Sequence, residues 1–377
     1  MTSRERLLAA YAHQPVDYVP CSPRLWAWML EYYGDCGTAT LLRAADEFDF
    51  DIHISHDPFS HPYHLHSHEA LALPGVAYRG EQWEEEGYTV YRRIFRTPAG
   101  ELTDVTRYPP REPIYGIAPN PVRTEHLVKS SADLPALRYL ITEKSEADFS
   151  YFFATERQLG ERGLLMAHIF SALCHRASDV YPMEELMMAA LADRPFFDEL
   201  QAMFQREMMD EVQACLRAGI RHFFANWYVN SLSTGWSPRL WQEVFAPQLT
   251  EMTTAVHAAG GTVNFYDDGK CMGIIDVLAD CGIDVLQTLC PPPVGDVELA
   301  VVKQRIGDRV CLMGHTDLLY VLQRGTPALV EATVRQAIET AAPGGGFILG
   351  TSDSIRNGTP TENVRAYFAA ARRYGKQ

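Results

Sequence analysis

Eight short β-rich runs, each followed by a stretch of helical periodicity, recur along the chain, and this alternation constrains its fold more than any other feature. The runs cover residues 16–21, 51–55, 163–170, 222–227, 261–266, 284–289, 309–314 and 346–350. Between them apolar residues recur at three- and four-residue spacing, as in residues 183–218, broken at Arg194-Pro195, and residues 238–259. Glycines stand where helices should stop, at Gly219 and at Gly260-Gly261. Strands that alternate with helices pair in parallel, and eight such units favour closure into a (β/α)8 TIM barrel; an open doubly wound sheet is the alternative. One barrel domain over 1–377 would account for the whole chain.

Residues from about 75 to 111 break the pattern. A strand-like run over 88–95 and a turn at Pro98-Ala99-Gly100 predict a small antiparallel β insertion after the second strand. Gly344-Gly345-Gly346 precedes a strand, whereas a phosphate-binding loop follows a strand and opens a helix, so the run reads as a turn.

Apolar residues make up 47% of the chain and charged residues 21%, enough of the first to bury a sizeable core. A formal charge of −15, without a cluster of Lys and Arg, argues against nucleic acid as a partner, because such binding rests on neutralising phosphates. No apolar run is long enough to span a bilayer, and Met1-Thr2-Ser3-Arg4-Glu5-Arg6 leads into an amphipathic helix rather than a signal peptide; a cytoplasmic location without membrane association is expected. The eight cysteines form no Cys-x-x-Cys pair and are expected as free thiols.

Barrels of this kind collect their chemistry at the C-terminal ends of the strands. There the sequence carries Arg24 and Trp26 after the first strand, His56 and Asp57 after the second, and His168 in the third. Asn226, Trp227 and Tyr228 follow the fourth, Tyr266, Asp267 and Asp268 the fifth, Cys290 the sixth, His315 and Asp317 the seventh, and Ser352, Asp353 and Ser354 the eighth. Carboxylates and imidazoles meeting at one mouth can bind a metal or move protons, with Asp268 and Asp353 the leading candidates. Loop hydrogen bonding and helix capping account equally well for any one of these groups. Of the aromatic residues near the first and fourth strand ends, most are expected in the core, and a minority such as Trp26 and Trp227 could line a small-molecule site. His53, His56, His61, His64, His66 and His68 are six of the thirteen histidines. Their spacing follows no zinc pattern, so a solvated loop near the mouth is preferred to a dedicated metal site.

Four stretches carry a family resemblance. They are RERLLAAYAHQPVDYVPCSP from Arg4, GWSPRLWQEVFAPQLTEMTTAVHAAGGTVNFYDDG from Gly235, CGIDVLQTL from Cys281 and GGGFILGTSDSIRNGTPTENVRAYF from Gly344. Together they resemble the uroporphyrinogen decarboxylase family, which joins the haem-pathway decarboxylase to cobalamin-linked methyltransferases and whose fold is the barrel expected above. After its first strand the decarboxylase has an arginine-rich loop; here a single Arg24 stands among tryptophans, poorly suited to an octacarboxylate. The methyltransferase branch binds zinc through a His-x-Cys pair after strand five and a Cys after strand eight, positions that correspond here to Tyr266, Asp268 and Asp353. Oxygen in place of thiolate disfavours thiol activation and favours a harder or more Lewis-acidic ion.

The resemblance therefore implies a methyltransferase that moves a methyl group between a small methylated substrate, such as a methoxylated aromatic, and the corrinoid of a partner protein. Zinc at Asp268, His315 and Asp353 would assist. Tyr266, Asp268, His56 and Asp57 would take catalytic roles, and Arg24, Trp26, His168, Asn226 and Trp227 would hold the substrate. A homodimer is one implied assembly. The alternative is a metal-free decarboxylase or lyase for a small carboxylated substrate, with Arg24 anchoring the carboxylate and Asp57, Asp268 or Asp353 guiding protons. A non-catalytic binding subunit is a third class, against which so many ionisable strand ends argue.

Overall fold

The structure is a computed structural model that describes residues 1–64, 67, 73–110, 121–141, 144 and 147–376. The chain divides into two compact units. The first comprises Met1–Pro58, Asp148–His168 and Cys215–Gln377, and the second Phe59–Ala147 and Ile169–Ala214.

The first unit is built on a seven-stranded sheet. Numbering all strands in chain order, β1 is Ile52–His56, β2 Ala77–Glu85, β3 Tyr88–Thr97, β4 Gly100–Tyr108, β5 Val122–Glu125 and β6 Gly163–Phe170. They continue with β7 His222–Asn226, β8 Thr262–Tyr266, β9 Val285–Thr288, β10 Cys311–Thr316 and β11 Phe347–Thr351. The sheet runs β1-β6-β7-β8-β9-β10-β11, with parallel registers such as Ile52 to Gly163 and Leu312 to Phe347.

Residues 20–22 close the ring. Leu349 N donates to Pro20 O and Ser22 N to Leu349 O, each at 2.8 Å, while Asp51 N donates to Cys21 O at 2.8 Å on the other side. The first expected strand is thus reduced to a single bridge, Cys21 to Leu349. Pro20 and Pro23 flank it and lack the N–H that a longer ladder needs. The other seven expected strands lie within about two residues of their places.

Alternation along these strands sorts their side chains. Leu164, Val285, Cys311, Met313 and Ile348 pack with Leu7, Ala10 and Tyr11 of the helix Ser3–Tyr11 into one buried cluster. Thr2 starts that helix with a capping box completed by Glu5. Two residues further along, Met166 of β6 meets Phe224 and Tyr266 in a second cluster. At Gly314 of β10, φ is +141°, and a Cβ there would run into the Thr288 carbonyl of β9; the strands can approach only because no side chain intervenes.

The second unit holds an antiparallel sheet, β2-β3-β4-β5. The hairpin expected around Pro98-Ala99 joins β3 to β4, and β5 adds a strand beyond residue 111, itself outside the described residues. Arg93 and Asp104 sit directly opposite each other in the β3–β4 register, both buried, and the guanidinium grips the carboxylate with two nitrogens. The expected break at Arg194-Pro195 separates the helices Met183–Ala192 and Arg194–Ala218. Gly344, Gly345 and Gly346 all have positive φ and form the expected turn before β11. All eight cysteines are free thiols.

Candidate active site

In the first unit the same alternation that buries Leu164 and Met166 turns His168 inward near the end of β6. Ser55 Oγ lies 3.2 Å from its Nδ1 and Asn226 Nδ2 3.0 Å from its Nε2. The amide nitrogen donates, so Nε2 accepts, and in the neutral ring Nδ1 carries the proton toward Ser55. His53, two residues before Ser55, is buried: its Nε2 meets the Tyr11 hydroxyl and lies 3.4 Å from Asn264 Nδ2. Burial, then the His222 and Arg24 charges, push the His53 imidazole down to about 3, so it is neutral at working pH.

His53, Ser55 and His168 border a cavity of about 360 Å3, lined also by Arg24, Trp26, His56, Tyr151, Phe224 and Gln287; Asn226 and Asn264 do not line it. Trp26 is 56% exposed and contributes an edge rather than a wall. His56 packs on the Tyr151 ring at 4.5 Å, and burial lowers its pKa.

Arg24 links this cavity to a second cluster. Its guanidinium lies over the Tyr266 ring, 4.7 Å from the centroid. The Tyr266 hydroxyl reaches Asp268 Oδ2 at 3.3 Å and Asp353 Oδ1 at 3.4 Å. One hydroxyl proton thus serves two carboxylates. Burial, and next the Asp353 charge, raise the pKa of Asp268. Arg356 holds Asp353 Oδ2 at 2.6 Å. Burial also raises Tyr266, which keeps its proton. Asp268 and Asp353 line a further cavity of about 360 Å3 with Cys290, Asp317, Ser352 and Arg356.

His315 stands inside β10 rather than after it, at φ +92°. Its Nδ1 donates to the Leu289 carbonyl at 3.0 Å, which leaves Nε2 as the lone-pair nitrogen, and burial lowers its pKa. Among the described residues, two sets of three His, Cys, Asp or Glu have ligand atoms within 4.8 Å of one another; Asp268, His315 and Asp353 are not one of them. Asp268 and Asp353 come together at Tyr266, and His315 stays outside that triangle.

Other candidates have local duties. Trp227 is fully buried against Phe265 and Trp241 and lines neither cavity, so it is a packing residue and not part of the substrate wall. Asp57 is half-buried beyond β1 and also lines neither cavity. Asp317 Oδ1 caps the following turn at Tyr320 N, and Ser352 Oγ accepts from Leu318 N at 3.0 Å. Asp267, wholly buried, accepts from Gly269 N at 2.8 Å and is pushed up to about 8 by burial. The strand-end reasoning missed Ser55, His53, Asn264 and Gln287. Polar side chains at inward positions of otherwise apolar strands were the available signal.

Residues 181–374, just over half of the chain, match the family model for uroporphyrinogen decarboxylase (URO-D). The chain belongs to the uroporphyrinogen decarboxylase family. A relative from Methanosarcina barkeri, the methylcobamide:CoM methyltransferase MtaA, is 30% identical to it over 138 residues, 37% of this chain and 38% of that protein. The match thus spans well under half the length of that curated relative. A solved methyltransferase from Methanosarcina mazei has the same fold, with a TM-score of 0.64 over 99% of each chain at 18% identity. The uroporphyrinogen decarboxylase family barrel is therefore the fold of this chain, as its sequence implied. No helix among the described residues is long and apolar enough to cross a membrane.

Proposed function

We propose that this chain is a methyltransferase that passes a methyl group between a small methylated substrate, methoxylated aromatics among them, and the corrinoid of a partner protein, assisted by a divalent metal at Asp268 and Asp353. One observation carries the proposal: the hydroxyl of Tyr266 lies within 3.4 Å of both carboxylates, although Asp353 is 87 residues away in sequence. By the family resemblance, Asp268 and Asp353 correspond to positions of zinc ligands in the methyltransferase branch.

The donor set fits a cation. Burial, and next the charge of Asp353, raise the pKa of Asp268, and a cation bound by the two carboxylates would offset both. Two carboxylate oxygens suit a hard or Lewis-acidic divalent ion, while His315, outside their cluster, would have to move to add its Nε2 lone pair. When bound, the ion would supply Lewis-acid stabilisation of charge developing on the leaving group. The remaining work belongs to the chain. Tyr266 donates a hydrogen bond from a hydroxyl that stays protonated, Arg24 offers its cation beside that ring, and His168, held between Ser55 and Asn226, orients the substrate.

The metal-free decarboxylase is the second reading, favoured by Arg24 in the cavity that His168 lines and by the upward shift that burial and then Asp353 impose on Asp268. Elemental analysis of untagged protein separates the two. Methylation of cob(I)alamin by a panel of methyl ethers, lost together with about one metal equivalent in both Asp268→Ala and Asp353→Ala, is the expected result. Carbon dioxide release from a small carboxylate, with metal content the same in wild type and both variants, would overturn it.

A further inference from the structure

A second group of ligands lies in the other unit, on residues that the proposed reaction does not use. We propose that His64, His175 and Asp179 form a binding site for a divalent transition ion of the Zn2+ class, through two imidazole nitrogens and one carboxylate. One ligand atom from each lies within 4.8 Å of the other two. His175 Nδ1 is 3.6 Å from Asp179 Oδ1, and His64 Nε2 is 4.0 Å from Asp179 Oδ2. In a tetrahedral site with bonds of about 2.0–2.1 Å, neighbouring ligand atoms stand roughly 3.3 Å apart. The two His–Asp separations lie within an ångström of that spacing, and the 4.8 Å bound on the trio leaves at most about 1.5 Å to close. The two imidazoles are neighbours, with centroids 5.3 Å apart and planes tilted by 50°.

Each ligand stands on backbone that buried groups hold in place, as a metal site requires. Arg93, fixed by Asp104, donates from one nitrogen to the carbonyls of Pro62 at 2.9 Å, His64 at 3.0 Å and Ser67 at 2.6 Å. His175 has φ +53° in the turn Leu173–Ala177, an unusual conformation for a residue with a side chain. Ser171 Oγ secures the approach to it by accepting from Leu173 N at 3.2 Å and Cys174 N at 2.8 Å. Arg123 donates to the backbone carbonyl of Asp179 and leaves the carboxylate facing the histidines. The side chains of His64 and His175 are 23% and 27% exposed, so an ion can reach them from solvent.

The other set with ligand spacing, His61, Glu207 and Glu211, has a different character. Arg176 and Lys144 already balance its two carboxylates, and an added dication would leave buried positive charge. At His64, His175 and Asp179 a single carboxylate meets two imidazole nitrogens, which as metal ligands would add no charge to that of the ion.

Co2+ titration of the chelator-stripped, full-length protein tests the site. A visible d–d spectrum without a thiolate charge-transfer band is expected for about one equivalent that His64→Gln and Asp179→Asn abolish and Asp268→Ala and Asp353→Ala keep. Identical Co2+ spectra and stoichiometry in wild type, His64→Gln and Asp179→Asn would overturn it. Should those variants fold poorly, the wild type answers alone. Carbethoxylation of His64 and His175, mapped by mass spectrometry, should be suppressed by stoichiometric Zn2+, and unchanged modification would refute the site.

Discussion

Replacing Arg176 with Met should cost the second unit about 3–5 kcal/mol at pH 7, the penalty for removing one partner of a buried ion network. The guanidinium is 1% exposed and donates to Glu207 Oε2 at 2.8 Å, Tyr63 OH at 3.1 Å, Glu211 Oε1 at 3.3 Å and Glu211 Oε2. With Lys144 it balances two buried carboxylates; without it one negative charge stays uncompensated. Methionine has a similar length but offers no donor. With a urea slope of about 2 kcal/mol per molar, the unfolding midpoint should fall by about 2 M. Burial pushes Glu207 up, but the His61 hydrogen bond and the Arg176, His61 and Lys144 charges outweigh it and hold the carboxyl below its ordinary value. A carboxylate so depressed contributes stability above its unfolded pKa, and that contribution is lost as pH falls through the folded one. In Arg176→Met the protonation moves to higher pH, so the gap between variant and wild type should be widest near neutrality and shrink on acidification. Urea titrations at pH 7 and pH 4, followed by circular dichroism, measure both. A loss below about 1 kcal/mol at pH 7, or a gap that does not narrow, would refute an ionised network.

Three further outcomes are expected. Asp267 is wholly buried and pushed up to about 8, so the folded chain keeps a proton that the unfolded chain releases near pH 4. Its contribution is full below that and fades as pH rises toward 8, by about 1.4 kcal/mol per pH unit; Asp267→Asn should flatten stability between pH 5 and 8 in denaturant titrations. Gly314→Ala would drive a Cβ into the Thr288 carbonyl from a backbone at φ +141°, and should cost more than about 3 kcal/mol, read as loss of soluble expression or a lowered unfolding midpoint. Tyr266→Phe removes the hydroxyl between Asp268 and Asp353; kcat for cob(I)alamin methylation should fall by about 10- to 100-fold, with circular dichroism unchanged.

Much of the fold is legible in the alternation of runs and helices. That pattern reports local period and breaks, and seven strands and the insertion lie close to where it indicates them. The exception is instructive. Residues 20–22 join the barrel through only a few hydrogen bonds, made by Leu349 and Asp51, because prolines flank them. Local propensity marks a strand at 16–21 but not how little of a ladder it keeps, because its partners lie at the far end of the chain.

The site divides along the same line. Sequence alone determined that Asp268 and Asp353 follow strands, and that the chain carries the family's segments. Tertiary structure decided that they meet at Tyr266, that His168 sits between Ser55 and Asn226, and that Trp227 is core. It also separated the histidines of one sequence segment: His53 is buried with Tyr11, His61 joins Glu207 and Glu211, and His64 turns to His175 and Asp179, while His66 and His68 lie outside the described residues. Strand period gives a side chain's face, but its neighbours follow from register and ring closure, which residues far apart in the chain set together.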